Sequence, residues 1–240
     1  MIKYLVTGTG RCGTVYMARL FTSLGVMCGH EAIFGHDGLD SAVNRLCKKK
    51  PIETSYCSTY DLLNKAYVEQ WFNSEEMMAE SSFLAAPFLD IPELNEVKII
   101  HLVRNPLKVV NSLVKDINFF SEKKEMRHWT KLVYSVIPSI RDEKTEIEKA
   151  CRYYIEWNKM IERFDKCLFL RVEDQPNKKL FEFLSINYTN HYYKNNKINS
   201  WNRNKKLINL RDIPEGGTKE EFMNVLVDYG YLRKTQSLYI

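Results

Sequence analysis

The chain has 240 residues, of which 45% are hydrophobic and 27% charged, an ordinary balance for a soluble globular protein and enough for a single α/β domain over 1–240. No apolar run nears the roughly 20 residues that cross a bilayer, and the N-terminus enters a strand pattern at once, which leaves no signal peptide and points to the cytoplasm. The net charge of +5 leans toward an anionic ligand without deciding for one.

"IKYLVTG" (2–8) predicts the first strand, and a helix follows from about Gly13 to Leu24. Between them, Gly8 and Gly13 have the spacing of the glycines in G-x-x-x-x-G-K-[ST], yet Thr14 and Val15 stand where a Walker A loop carries Lys and then Ser or Thr. The Walker lysine reaches the β and γ phosphates and the next hydroxyl holds magnesium. A loop lacking both suits a shorter anion handled without metal. Strand, glycine loop and helix start still make an anion site, because unpaired amides and the helix dipole converge there. Arg11 adds a fixed cation with forked donors. The bland alternative is that Gly8, Gly10 and Gly13 only permit a tight turn.

"GVMCGHE" (25–31) predicts the second strand, with Gly25 ending the helix before it. His30 and Glu31 lie just past that strand. Side chains alternate in an extended segment, so one of the two is expected to face a cleft. A helix is expected over 59–73, and "MAESSFLAA" (78–86) reads as a strand or a strand running into a helix. "VKIIHLV" (97–103) and "CLFLRV" (167–172) read as buried parallel strands, being near-continuous and apolar. Helices are expected over 106–117, 145–164 and 218–229, the last with Thr218 as N-cap and Glu221 as its capping-box partner. The alternation predicts an α/β fold, three-layer αβα with a central parallel sheet.

Residues 187–206 lack periodicity and read as a loop. From 194 to 211, Lys194, Lys197, Arg203, Lys205, Lys206 and Arg211 have no acid among them, which reads as a solvated stretch or as one that closes over a nucleotide or an acidic acceptor. No nucleic-acid motif accompanies them. Cys12, Cys28, Cys47, Cys57, Cys151 and Cys167 include no C-x-x-C pair and are expected to be reduced. His36, His128 and His191 have no motif around them, and Cys28, His30 and His36 match no common metal spacing.

"IIHLVRNPLKVVNSL" (99–113) ends a strand at Val103, exposes Arg104 and turns at Asn105-Pro106, a good N-cap followed by a good first helical residue. Arg104 then sits at the carboxyl end of a parallel strand, the edge on which open α/β sheets bind ligands. Loop and anchor together resemble the PAPS-dependent sulfotransferases. In that family the 5′-phosphosulfate loop reads [KR]-x-G-[ST] after the first strand, and the 3′-phosphate motif is Arg-x-Pro with a serine eight residues after the arginine. Here they are Arg11-Cys12-Gly13-Thr14, and Arg104-Asn105-Pro106 with Ser112. "GHEAIFG", "AESS" (79–82) and the stretch 152–175 with "RYYIEWNKMIE" and "LFLRVEDQ" are similar to later parts of the family, so the resemblance covers most of the chain to about residue 175.

The resemblance implies a P-loop NTPase-like sulfotransferase fold. It implies a donor, 3′-phosphoadenosine 5′-phosphosulfate (PAPS), a product, adenosine 3′,5′-bisphosphate (PAP), and no metal. Thr14 and the amides from Gly10 through Arg11, Cys12 and Gly13 to Val15 would cradle the 5′-phosphate, while Arg104 and Ser112 would bind the 3′-phosphate. Arg11 would stabilise charge on the leaving phosphate without donating a proton. Glu31 is the expected base, because "HEAIF" resembles the K-E-x-x-F setting of heparan-type members, and His30 is the other contender. The acceptor would be a small molecule or carbohydrate offering a hydroxyl or amine, its pocket drawn from 35–78 and 118–145; neither nucleic acid nor membrane is an expected partner. A divergent P-loop kinase of small molecules, or a non-catalytic nucleotide-binding protein of the same fold, are the rival readings.

Overall fold

A computed structural model describes residues 2–34, 78–90, 94–121, 127–188 and 207–233. Five strands form one sheet: β1 (Tyr4–Gly8), β2 (Cys28–His30), β3 (Ala79–Ser81), β4 (Lys98–Val103) and β5 (Leu168–Arg171), in the order β2-β3-β1-β4-β5. Every pairing is parallel. All of β1 is buried, as a central parallel strand covered on both faces should be.

Six α-helices lie among the described residues: α1 (Thr14–Ser23), α2 (Pro106–Asn111), α3 (Arg127–Val136), α4 (Glu146–Glu162), α5 (Lys178–Leu184) and α6 (Gly217–Asp228). They cover both faces of the sheet, and the alternation of the strands shows how. Val6, Ile100 and Leu102 pack with Met17, Leu20 and Phe21 of α1 and with Leu180 and Leu184 of α5. Leu5, Ile99 and Val103 point the other way, toward Tyr153, Tyr154 and Trp157 of α4 and Phe222 of α6. Helix α4 starts on a complete capping box between Thr145 and Glu148.

Several expectations are refined. The segment from 78 resolves into β3 and then a 3-10 turn over Phe83–Phe88, started by Ser82, whose hydroxyl accepts the Leu84 amide at 3.2 Å. The helix after Arg104 is α-helical only to Asn111 and continues as a π turn over Ser112–Asp116. Strand β5 is not a buried strand: it is the sheet edge, where Leu170 is buried and Phe169 is 39% exposed. Thr218 is not an N-cap. Helix α6 begins after Gly216 with no side-chain cap, because Thr218 donates to Glu143 (2.7 Å) and accepts from Arg152 (2.9 Å), while Glu221 pairs with Arg152 and Lys159.

Helices α3 and α5 occur where none was expected. The expected helix 59–73, His36, His191, Cys47, Cys57, the side chain of His128 and residues 189–206 of the expected loop lie outside the described residues. Of the basic residues from 194 to 211, Arg211 is described, exposed on a 3-10 turn over Leu210–Asp212. Cys12, Cys28, Cys151 and Cys167 are free thiols. No helix among the described residues is long and apolar enough to cross a membrane.

Candidate anion site and its carboxyl pair

The chain leaves β1 toward β2 at one side of the sheet and leaves β4 toward β5 at the other, so the connections from these neighbouring strands diverge. That divergence opens a crevice at the strands' carboxyl ends. The register sets Gly8 beside Leu102 so closely that a Cβ on Gly8 would stand 2.0 Å from the Leu102 carbonyl oxygen, which restricts the position to glycine. The Thr9–Gly13 loop and Arg104 therefore emerge side by side.

The loop turns through left-handed backbone at Arg11 (φ 70°) and Gly13 (φ 112°). This aims the Arg11 side chain across the crevice, where its Nε donates to Ser112 Oγ at 2.9 Å. Arg104 reaches back and donates through Nη1 to the Arg11 carbonyl at 3.0 Å. Arg11, Arg104 and Ser112, 101 residues apart in the chain at their widest, thus line one crevice. Burial lowers the Arg11 pKa, the neighbouring Arg104 charge lowers it further, and Asp116 acts against both. Two partly buried cations side by side make a site that an anion stabilises.

Not every amide of the loop faces that site. Gly10 N–H donates inward to Tyr153 Oη at 2.8 Å and Cys12 N–H to the Thr9 carbonyl at 3.2 Å. Cys12 is fully buried, its thiol pushed up to about 12 by burial, and the Thr14 amide lies against its sulfur, a weak acceptor. Gly10 and Cys12 hold the loop's shape, then, and the amides left from Gly10 to Val15 are chiefly those of Arg11, Gly13 and Val15. Thr14 and Val15 precede the first intrahelical bond, Met17 N–H to the Gly13 carbonyl at 3.0 Å. The Thr14 hydroxyl lies 3.2 Å from His30 Nε2.

The anchor turn is braced from three sides. Asn105 caps α2 by accepting the Lys108 amide at 3.2 Å, with Pro106 next. Its own N–H donates to Glu173 Oε1 at 3.0 Å, and the Tyr154 hydroxyl donates to the Arg104 carbonyl at 2.9 Å.

His30 and Glu31 do not face opposite ways. Glu31 has φ 55°, so the strand ends in a left-handed turn, alternation stops, and His30 Nε2 lies 3.9 Å from Glu31 Oε1. Burial, and then the Arg19 charge, lowers the His30 pKa, so the ring is neutral at pH 7. Burial pushes Glu31 up to about 7. Glu80, on the neighbouring β3, is wholly buried: Oε1 accepts the Ile33 amide at 3.2 Å and Oε2 has no partner. Burial, together with the charge of Glu31, pushes Glu80 up to about 8 against the pull of the Ile33 and Ala32 amides.

Glu80, Tyr153, Asp116 and Glu173 were not singled out from the sequence. An acid inside an apolar strand, as in "MAESSFLAA", is a signal that could have marked Glu80. Tyr153 reads as one more aromatic on a helix stripe. Among the described residues no group of three or more His, Cys, Asp or Glu is placed to hold a metal. No family model matches the chain, and no curated protein matches it.

Proposed function

We propose that the protein is a PAPS-dependent sulfotransferase that moves a sulfuryl group to a hydroxyl or amine of a small-molecule or carbohydrate acceptor and releases PAP. The observation that carries the reading is the pair of neighbouring arginines at the crevice between β1 and β4, Arg104 bonded to the Arg11 carbonyl and Arg11 in turn to Ser112. A nucleotide with phosphates on both its 3′ and 5′ sides needs two such anchors, and the absence of a Walker lysine suits one without a γ-phosphate.

The nucleotide supplies the activated sulfuryl group when bound. Arg104 and the Ser112 hydroxyl hold the 3′-phosphate, while Arg11, the Thr14 hydroxyl and the loop amides hold the 5′-phosphate. Arg11 stays charged at neutral pH and stabilises the charge left on that phosphate as the sulfur–oxygen bond breaks. Glu31, with its pKa raised to about 7, takes the acceptor's proton as the new sulfur–oxygen bond forms. His30 is the weaker choice as base, since its Nε2 is already engaged with Thr14, whereas the Glu31 carboxyl accepts no hydrogen bond among the described residues.

Titration calorimetry with PAP, beside 5′-AMP, ADP and magnesium-ATP, tests the reading. Binding of PAP that is lost without the 3′-phosphate and indifferent to EDTA is expected. Arg104→Ala should weaken PAP roughly 10- to 100-fold, the worth of charge-assisted hydrogen bonds. Preference for magnesium-ATP, or PAP affinity unchanged in Arg104→Ala, would overturn the assignment.

A further inference from the structure

Glu80 has no part in the mechanism above, yet it is a wholly buried carboxyl on β3, in register with Gly29 of β2 and next to the Glu31 turn. Its Oε1 accepts the amide of Ile33, two residues beyond Glu31. The backbone there is also tied to β3 by Glu31 N–H to the Ser81 carbonyl at 3.3 Å. The left-handed Glu31 is thus held on both sides, by the Ser81 carbonyl at its own amide and by the Glu80 carboxyl at Ile33. A left-handed conformation at a residue with a side chain persists only when its surroundings over-determine it.

We propose that Glu80 is a positioning residue for Glu31: as an uncharged carboxylic acid it clamps the turn that aims the base, and by staying uncharged it leaves the negative charge of the pair to Glu31.

The groups around the two carboxyls support this division. His30 from β2 lies beside Glu31, and Cys12 from the loop and Tyr153 from α4 are near enough to feel its charge. His30 is neutral at pH 7, and burial keeps the Cys12 thiol and the Tyr153 hydroxyl protonated. Cys28 of β2, near enough to feel the charge of Glu80, is also held protonated by burial. No cation among these neighbours draws a charge onto Glu80, and ionising it beside an ionised Glu31 places two like charges in a dry spot. The more exposed carboxyl ionises first. Glu31 retains 21% side-chain exposure and Glu80 none.

The inference rests on the sulfotransferase reading only for calling Glu31 the base, so its test does not use turnover. Carboxyl carbon-13 shifts of Glu31 and Glu80 are followed by NMR from pH 4 to 10 in the full chain and in the Glu80→Gln, Glu80→Ala and Glu31→Gln variants. Glu80→Gln keeps an uncharged acceptor for Ile33, so the Glu31 midpoint should stay where it is in the parent. Glu80→Ala removes the clamp and lets water reach Glu31, whose midpoint should fall toward the ordinary glutamate value of about 4.3. Glu31→Gln removes the like charge, so the Glu80 midpoint should fall; this arm stands even if Glu80→Ala does not fold. A Glu80 midpoint below that of Glu31 in the parent, or unmoved by Glu31→Gln, overturns the proposal. PAP binding is measured on the same samples: its absence beside an intact pair counts against the enzyme reading alone.

Discussion

Tyr153→Phe removes one oxygen from the interior and tests what shapes the Thr9–Gly13 loop. Tyr153 has no exposed surface, and its ring is packed by Phe119, Phe120 and Trp157, contacts that phenylalanine keeps. What is lost is the acceptor of the Gly10 amide, bonded at 2.8 Å. A buried amide left unpaired costs about 1–3 kcal/mol, whereas a merely exchanged hydrogen bond costs less. For a chain of this size each kcal/mol lowers Tm by about 2–4 °C, so a fall of about 2–12 °C is expected in thermal unfolding. Urea unfolding should move its midpoint without a change of slope. On the proposed reading PAP affinity should fall with it, since Gly10 lies in the loop between β1 and α1. A variant whose midpoint and PAP affinity both match the parent would refute the view that Tyr153 holds the loop.

Gly13→Ala combines a φ of 112° with a Cβ only 2.8 Å from Val172 Cγ2, so a loss of about 1–3 kcal/mol is expected in urea unfolding. Adding Val172→Ala should recover the contact part of that loss and leave the backbone part. The raised carboxyls also predict a pH dependence. Glu31 and Glu80 go from an ordinary 4.5 to about 7 and about 8 on folding, so the folded state holds protons that the unfolded state has released. Their contribution to stability is complete below about 4.5 and is lost as pH rises through 7 to 8. The unfolding free energy of Glu80→Gln should therefore fall less steeply than that of the parent between pH 5 and 9, and equal slopes would speak against a protonated Glu80. Buried His101, its pKa lowered chiefly by burial, acts with the opposite sign, and its contribution fades as pH drops below about 6.5.

The parts of the fold legible in the sequence are those whose signals are local and uncontested. β1 and β4 are near-continuous apolar runs, and the two turns after them carry glycine or Asn-Pro where the backbone requires it. The placement of the two arginines was legible for the same reason: Arg104 directly follows β4, and Arg11 lies in the loop just past β1. β5 looked like a buried strand because an apolar run says nothing about which neighbours it will have. Thr218 and Glu221 have capping spacing, but an ion cluster with Arg152, Glu143 and Lys159 claims both side chains. The meeting of His30 and Glu31 was hidden because it depends on one left-handed residue with no glycine to announce it. Glu80 was hidden because its importance lies in a contact 47 residues away.

Glu173 ties the carboxyl edge of the sheet beside Arg104 to the turn after α6. Its Oε1 accepts the Asn105 amide beside Arg104, and its Oε2 accepts the Tyr231 hydroxyl at 2.7 Å. Two residues earlier, Arg171 donates to the Gly230 carbonyl at 3.2 Å and lies over the Tyr231 ring. The turn after α6 is therefore fastened to the residue that precedes the anchor helix, through a single glutamate. Shortening the chain to end before Tyr231 would loosen the turn at Arg104 without removing Arg104, Arg11 or Ser112. An environment-sensitive dye attached at half-exposed Leu232 would conversely report, from outside the crevice, any movement of the Arg104 turn when PAP is added.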